Sequence, residues 1–112
     1  MRVELRVRNV DLAGALRKYI ERRLDFTLGR FAERVGRVRV KISGLNGSRG
    51  GTTASCRISA DLSPSGRVAL QETDIDLYAA IDSAVNRVGR LLSQRLERLR
   101  ESKEDTDIVP AA

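Results

Sequence analysis

The stretch DIDLYAAIDSAVNRVGRLLSQRLERLR, residues 74–100, decides the fold because it holds the longest helical pattern in the chain. Its apolar side chains recur three and four residues apart, which is the spacing of one buried face on an α-helix. These side chains are Leu77, Ile81, Ala84, Val88, Leu91 or Leu92, and Leu99. The pattern predicts a long C-terminal helix that packs one side on a hydrophobic core.

A row of basic side chains runs along the same predicted helix. Arg87, Arg90 and Arg98 form this row, and Gln94 stands between the last two. At 100° per residue the row lies roughly 115° around the helix from the apolar face. The helix can therefore pack on a core and still present guanidinium groups to a partner.

Four strands are predicted before this stretch, because apolar side chains occupy alternate positions in four short segments. A tight turn over residues 63–66 joins the last two of them. The predicted strands cover residues 2–8, 34–43, 53–62 and 67–72. The segment GLNGSRGGTT, residues 44–53, leads from the second strand into the third as a glycine-rich connection, and Thr73 is the predicted N-cap of the long helix.

An earlier helix is predicted between the first two strands. It begins near Asp11 or Ala13 and runs to about Leu28. Its buried face is formed by Leu16, Ile20 and Leu24. This helix is long enough to return the chain for a parallel second strand, whereas the later short connections give antiparallel pairs.

These elements predict an α+β fold with the order β-α-β-β-β-α. Only one face of each strand is apolar, so both helices must cover the same face of a four-stranded mixed sheet. The opposite face is strongly basic, with Glu4 and Asp61 as its acids. Its basic residues are Arg2, Arg6, Arg8, Arg37, Arg39, Lys41 and Arg57.

Length and charge suggest one basic domain that meets a polyanion. The 112 residues carry a net charge of +6, and 18 of the 21 basic residues are arginine. Residues 101–112 carry −3 of that total, so the first hundred residues carry +9. Arginine makes bidentate contacts with phosphate, and such an excess favours a nucleic-acid partner over a merely soluble basic surface. We therefore expect a domain over residues 1–100 and an acidic flexible tail over residues 101–112.

Catalytic, metal and membrane functions have little support in the sequence. The chain has no histidine, and its single cysteine, Cys56, alternates with apolar residues as a core residue would. Glu72, Asp74 and Asp76 straddle a strand end and a helix start, where compensation of the helix dipole explains them better than a metal site. The glycine-rich connection lacks the Gly-Lys-Ser/Thr ending of a phosphate-binding loop. We expect no enzyme activity, no cofactor, no small-molecule substrate, no membrane partner and a cytoplasmic location.

Three segments resemble the ribosome hibernation-promoting factors, a family that includes the ribosome-associated inhibitor protein. DLYAAID at residues 76–82 matches the family motif D-[ML]-Y-x-A-I-[DN], and NRVGR at residues 86–90 follows the family pattern of polar and basic positions. RNVDL at residues 8–12, followed by Ala15, Leu16, Arg17 and Ile20, matches the family's opening. The resemblance covers roughly residues 1–98 and implies a fold similar to double-stranded-RNA-binding domains.

The resemblance implies a mechanism of ribosome inactivation. Members of this family bind the small ribosomal subunit at the decoding centre through basic residues that contact ribosomal-RNA phosphates. The family's basic positions fall here on Arg17, Arg23, Arg87 and Arg90. Arg98, from the basic row, and Arg37, Arg39 and Lys41, from the basic sheet face, are weaker candidates for RNA contact. The chain resembles a short form of the family, and we expect it to be a monomer away from the ribosome.

Two departures from the family pattern affect the expected contacts. A basic position late in the first helix falls near Phe26, and another on the long helix falls at Gln94, with Arg95 and Arg98 as possible substitutes. Two other functions remain open at this point. One is a non-ribosomal RNA-binding module of the same fold, and the other is a module whose basic face binds an acidic protein.

Overall fold

The computed structural model describes residues 1–8, 14–46 and 52–107 of the chain. The strands are β1 (Arg2–Arg8), β2 (Val35–Asn46), β3 (Thr52–Leu62) and β4 (Arg67–Asp74). The helices are α1 (Gly14–Leu28), a short 3-10 turn (Gly29–Phe31) and α2 (Leu77–Asp107). The predicted order β-α-β-β-β-α is confirmed. The expected helix start near Asp11 or Ala13, and Arg49 in the glycine-rich connection, lie outside the described residues.

The sheet has the strand order β1-β2-β3-β4. β1 pairs with β2 in parallel, and the two later pairs are antiparallel, so the predicted mixed sheet is confirmed. Val3 lies opposite Val38 and Leu5 opposite Val40, which brings the apolar residues of neighbouring strands onto one face. The charged residues between them consequently share the other face.

One hydrophobic core lies between that apolar sheet face and the two helices. α2 lies over β3 and β4, and α1 lies beside it over the other half of the sheet. Cys56 is fully buried, which confirms that it is a core residue, and burial raises the pKa of its thiol to about 12. The largest fully buried side chains are Ile20, Leu24, Leu28, Val38, Val40, Ile42, Cys56, Ile58, Ile81, Val85, Val88 and Leu92.

The two helices run parallel and approach closely at a glycine. Successive contacts join Tyr19 to Asp82 and Arg23 to Asn86, so both helices advance in the same direction. Further along, a Cβ atom on Gly89 would lie 2.7 Å from the methyl carbon of Thr27. The missing side chain at residue 89 therefore sets how closely α2 can pack against α1.

The start of α2 differs from the sequence prediction. Thr73 lies in β4 and does not cap the helix. Asp76 is the N-cap instead, because its carboxylate accepts a hydrogen bond from the backbone N–H of Tyr78 at 2.9 Å and its carbonyl accepts one from Ala80 at 3.0 Å. The carboxylate of Asp74 in turn accepts the N–H of Asp76. The two aspartates close the strand-to-helix turn together.

The far end of α2 also differs from the expectation, because the helix continues to Asp107 instead of ending near Arg100. Leu99 belongs to the predicted apolar face, yet it is 39% exposed. Its neighbours Arg34 and Pro64 belong to the turns at the end of the sheet, so α2 passes beyond the sheet there. No helix in the described ranges is both long and apolar enough to cross a membrane.

Candidate nucleic-acid interface

The basic row of α2 is exposed, and its members differ in what they contact. Arg87 donates a hydrogen bond to the carboxylate of Glu72 on β4, which places this side of the helix above the outer edge of the sheet. Arg98 follows Arg87 by eleven residues, three helical turns, and therefore lies on the same side. Arg90 and Arg98 make no ion pair within the residues described. Those two guanidinium groups are the part of the row that is available to a phosphate.

Arg90 points further outward than Arg87. It follows Gly89, the residue that contacts α1, and the next position is rotated 100° around the helix away from that contact. The core residue Val88 lies on the opposite side of α2. Arg90 therefore stands on the outer surface of the helix layer, where Phe26 of α1, 86% exposed and adjacent to Thr27, also lies.

Arg23 occupies a polar joint between the two helices. Its Nε donates to the carboxylate of Asp82 at 3.0 Å and its Nη2 donates to the side-chain oxygen of Asn86 at 2.9 Å. The hydroxyl of Tyr19 donates to the same Asp82 oxygen at 2.5 Å, and this bond raises the pKa of the tyrosine. The side chain of Arg23 is only 24% exposed. Its position favours a role in holding the helices together alongside the predicted contact with RNA.

Tyr78 belongs to the same joint. Its ring meets the ring of Tyr19 edge to face, with centroids 4.9 Å apart and planes at 77°. Tyr78 thus packs on α1. The joint accounts for three residues of the DLYAAID motif, because Asp76 caps the helix, Tyr78 packs on Tyr19 and Asp82 binds Arg23.

Arg17 lies on the other flank of α1. It precedes Arg23 by six residues and is rotated from it by about 120° around the helix axis. Its Nε is 3.1 Å from the carboxylate of Glu21, one turn along the same exposed surface. Arg17 and Arg23 therefore do not form a single patch, and Arg17 is remote from the basic row of α2.

The remaining candidates lie on the opposite side of the molecule, on the open face of the sheet. Arg37 and Arg39 share Glu4, with nitrogen–oxygen distances of 3.4 and 3.6 Å. Lys41 is exposed and has no ion pair among the described residues. A groove of about 530 Å³ runs across this face. Its charged lining consists of Glu4, Arg6, Arg37, Arg39, Lys41, Arg57 and Arg67.

The eight predicted residues are thus divided between two opposite surfaces. The helix layer carries Arg17, Arg23, Arg87, Arg90 and Arg98, and the sheet face carries Arg37, Arg39 and Lys41. Sequence reasoning placed Arg6 and Arg57 on the basic face but did not select them, although they share the groove with Lys41. The pairing of Glu72 with Arg87 was also missed, because nothing in the spacing of two residues on different elements indicates that they meet.

Comparison with known proteins connects this arrangement to a family. The family model described as "Sigma 54 modulation protein / S30EA ribosomal protein" matches residues 3–100. The chain belongs to this family, which is the family of the ribosome hibernation-promoting factors. No curated protein matches at a significant level.

Two solved structures support the assignment of this hibernation-factor fold. The N-terminal domain of Thermus thermophilus Protein Y is 30% identical over 84% of this chain and 98% of its own, with a TM-score of 0.68. A ribosomal subunit interface protein from Coxiella burnetii has a TM-score of 0.71 over 87% of this chain and 99% of its own, and at 18% identity it supports the fold alone. The family is one of ribosome-associated factors and not a family of enzymes.

Proposed function

We propose that this hibernation factor binds the small ribosomal subunit near the decoding centre and holds the ribosome inactive for translation. Contacts from arginine to ribosomal-RNA phosphates supply the affinity, and the bound protein stabilises idle ribosomes. The observation that carries the proposal is the pair Arg90 and Arg98, which are exposed on the helix layer and make no ion pair within the described residues. An exposed guanidinium group without an ion pair can donate two parallel hydrogen bonds to two oxygens of one phosphate.

The distribution of charge agrees with binding to a phosphate backbone. The first hundred residues carry a net charge of +9. Contacts of this type depend on shape and charge more than on base sequence, as is usual for proteins that recognise folded RNA. The family to which the chain belongs makes ribosomal RNA the best-supported polyanion. A ribosome-bound protein would act in the cytoplasm.

Cosedimentation with purified ribosomal subunits tests this function. We expect saturable binding to the small subunit, and we expect the bound protein to prevent a messenger RNA from entering the same subunit. Equal affinity for bulk RNA would instead support a general RNA-binding module of this fold. If no RNA binds at low salt, an acidic protein becomes the remaining partner class for the basic surfaces.

The site assignment is tested with Arg90→Gln, because Arg90 is exposed and its loss should leave the fold intact. We expect the variant to bind the small subunit about tenfold more weakly, the effect of one charge-assisted hydrogen bond of roughly 1.5 kcal/mol. Arg87 is a poorer test since its replacement would leave Glu72 of β4 without its partner. Lys18→Gln is the matched control: it removes one exposed charge from α1 and should change affinity little. Equal effects of the two variants would contradict the assignment.

A further inference from the structure

Three cations stand directly opposite one another across three neighbouring strands on the open face of the sheet. The register pairs Arg6 of β1 with Lys41 of β2, and pairs Lys41 with Arg57 of β3. Gln71 of β4 continues the row, because it pairs with Arg57. All four side chains are exposed. We call these four residues the cationic row.

The cationic row contains no acid, unlike the row of Glu4 and Arg39 on one side of it. Two residues away along β1, Glu4 lies opposite Arg39 and also reaches Arg37. Its carboxylate neutralises part of the positive charge of these two arginines. Near the far end of the sheet Arg67 pairs with Asp61 at 2.7 Å and holds the pKa of that carboxyl below its usual range. No described residue forms an ion pair with a member of the cationic row.

Such an arrangement opposes folding, because like charges that are directly opposite on adjacent strands destabilise a sheet. Adjacent strands lie about 4.8 Å apart, so the outer two cations of the row are roughly 10 Å apart. A bound anion that spans this distance would convert the repulsion into attraction. The row is therefore best understood as one half of a binding site.

The lining of the groove indicates which kind of anion fits. The groove of about 530 Å³ contains the cationic row residues Arg6, Lys41 and Arg57, and its apolar lining is limited to Val40 and Ala69. Volumes of this size suit small ligands. Among the lining residues none is aromatic, so the groove offers nothing on which a nucleobase would stack. The chemistry favours phosphate groups over bases.

We propose that the cationic row binds two or three adjacent phosphate groups of a linear polyanion. Two sources share this chemistry: a free linear polyphosphate and the backbone of an RNA strand. Arg6, Lys41 and Arg57 would contact successive phosphates, and the amide of Gln71 would donate a further hydrogen bond. This site faces away from the helix layer, so it goes beyond the proposed ribosome contact and does not depend on it.

The experiment uses the full chain without ribosomes, in a buffer free of phosphate and other polyvalent anions. Titration calorimetry with tripolyphosphate measures affinity and stoichiometry, and thermal unfolding measures stability with and without the ligand. Lys41→Gln, in the middle of the cationic row, is compared with Lys18→Gln, which removes the same charged group from α1 on the opposite side of the molecule.

We expect one tripolyphosphate to bind the wild-type chain and the Lys18→Gln chain with similar affinity, and to bind the Lys41→Gln chain at least tenfold more weakly. Without ligand, Lys41→Gln should unfold at the same temperature as wild type or higher, because the repulsion has been relieved. Arg57→Gln should repeat both effects at the next position of the row. A lower unfolding temperature for both row variants without ligand would contradict the proposal.

A parallel titration with hexauridylate distinguishes the two sources. For each anion, the part of the affinity that Lys41→Gln removes reports on the cationic row. A larger loss for tripolyphosphate assigns the row to a free polyphosphate, and a larger loss for hexauridylate assigns it to an RNA backbone. The proposal is overturned if neither anion binds with one-to-one stoichiometry, or if Lys18→Gln weakens binding as much as Lys41→Gln does. Because no ribosome is present, a negative result in these titrations does not affect the proposed ribosomal function. A negative result in the cosedimentation with ribosomal subunits likewise does not affect the proposal for the cationic row.

Discussion

Tyr19 and Arg23 of α1 donate hydrogen bonds to one oxygen of Asp82 on α2, and this convergence is the main polar link between the helices. Asp82 lies 63 residues after Tyr19 and 59 residues after Arg23 in the chain. The carboxylate compensates Arg23 and orients Tyr19. Arg23, which the family resemblance predicts to contact RNA, therefore also has a structural partner within the protein.

The Tyr19–Asp82 bond should make stability depend on pH in the alkaline range. The bond raises the pKa of folded Tyr19 above its ordinary value of 10.0, so its contribution to stability is complete below pH 10 and is lost as the pH rises through the folded pKa. Tyr19→Phe should lower the free energy of unfolding by about 1 kcal/mol at pH 8, the typical net value of one hydrogen bond. Urea unfolding from pH 8 to pH 11 measures this difference.

The difference between Tyr19→Phe and the wild-type chain should shrink above pH 10. Cys56 titrates in the same range, since its pKa is raised to about 12, but it is present in both chains and cancels from the comparison. A difference that stayed constant up to pH 11 would contradict the role given to this bond.

At the scale of elements, the contact between α1 and α2 depends on Gly89. A Cβ atom there would meet the methyl group of Thr27 at 2.7 Å, and a β-branched side chain in a helix has little rotamer freedom with which to move away. Gly89→Ala gains helix propensity of about 1 kcal/mol, yet we expect it to be no more stable than wild type because the clash offsets the gain. Thermal unfolding measures the result.

Thr27→Ser provides the matching test of this contact. The serine lacks the methyl group, so Gly89→Ala in a Thr27→Ser background should stabilise the protein relative to Thr27→Ser alone, by up to about 1 kcal/mol. If Gly89→Ala stabilised both backgrounds equally, the helices would not be limited by this contact.

The elements themselves were largely predictable, because each obeys a simple period. The alternation in residues 2–8 gave β1 with the same bounds, and the spacing of Leu16, Ile20 and Leu24 identified the buried face of α1. Errors occurred where local signals compete. Thr73 and Asp76 can both cap a helix, and the choice depends on how far the pairing between β3 and β4 extends, which reaches Asp74.

The candidate site was less predictable, because its properties depend on contacts between distant residues. Helical spacing identified the basic row of α2, but it could not reveal that Glu72 engages Arg87 while Arg90 is left exposed. Alternation likewise identified the basic sheet face. Only the register of three strands shows that Arg6, Lys41 and Arg57 lie directly opposite one another.

At the scale of the whole molecule, basic surfaces cover both broad faces of a domain that is 17 Å thick. The helix layer presents Arg90 and Arg98, and the sheet face presents the cationic row around Lys41. A polyanion that surrounds the domain could contact both surfaces at once. Affinity for such a partner should fall steeply with salt, because each neutralised phosphate releases a counterion.

Gln94 allows this charge argument to be tested by adding a contact. It is exposed and lies between Arg90 and Arg98 in the basic row, at a position where the family pattern expects a basic residue. Arginine and glutamine have similar helix propensities, so Gln94→Arg should leave the unfolding temperature nearly unchanged. If the row contacts ribosomal-RNA phosphates, we expect the variant to bind the small subunit several-fold more tightly at moderate salt. The plot of log affinity against log salt concentration should also become steeper by about 1.

Gln94→Lys should reproduce the steeper slope with a smaller gain in affinity, because lysine lacks the bidentate geometry. An unchanged slope in both variants would mean that position 94 does not face the RNA, and that the subunit is bound by another surface of the molecule.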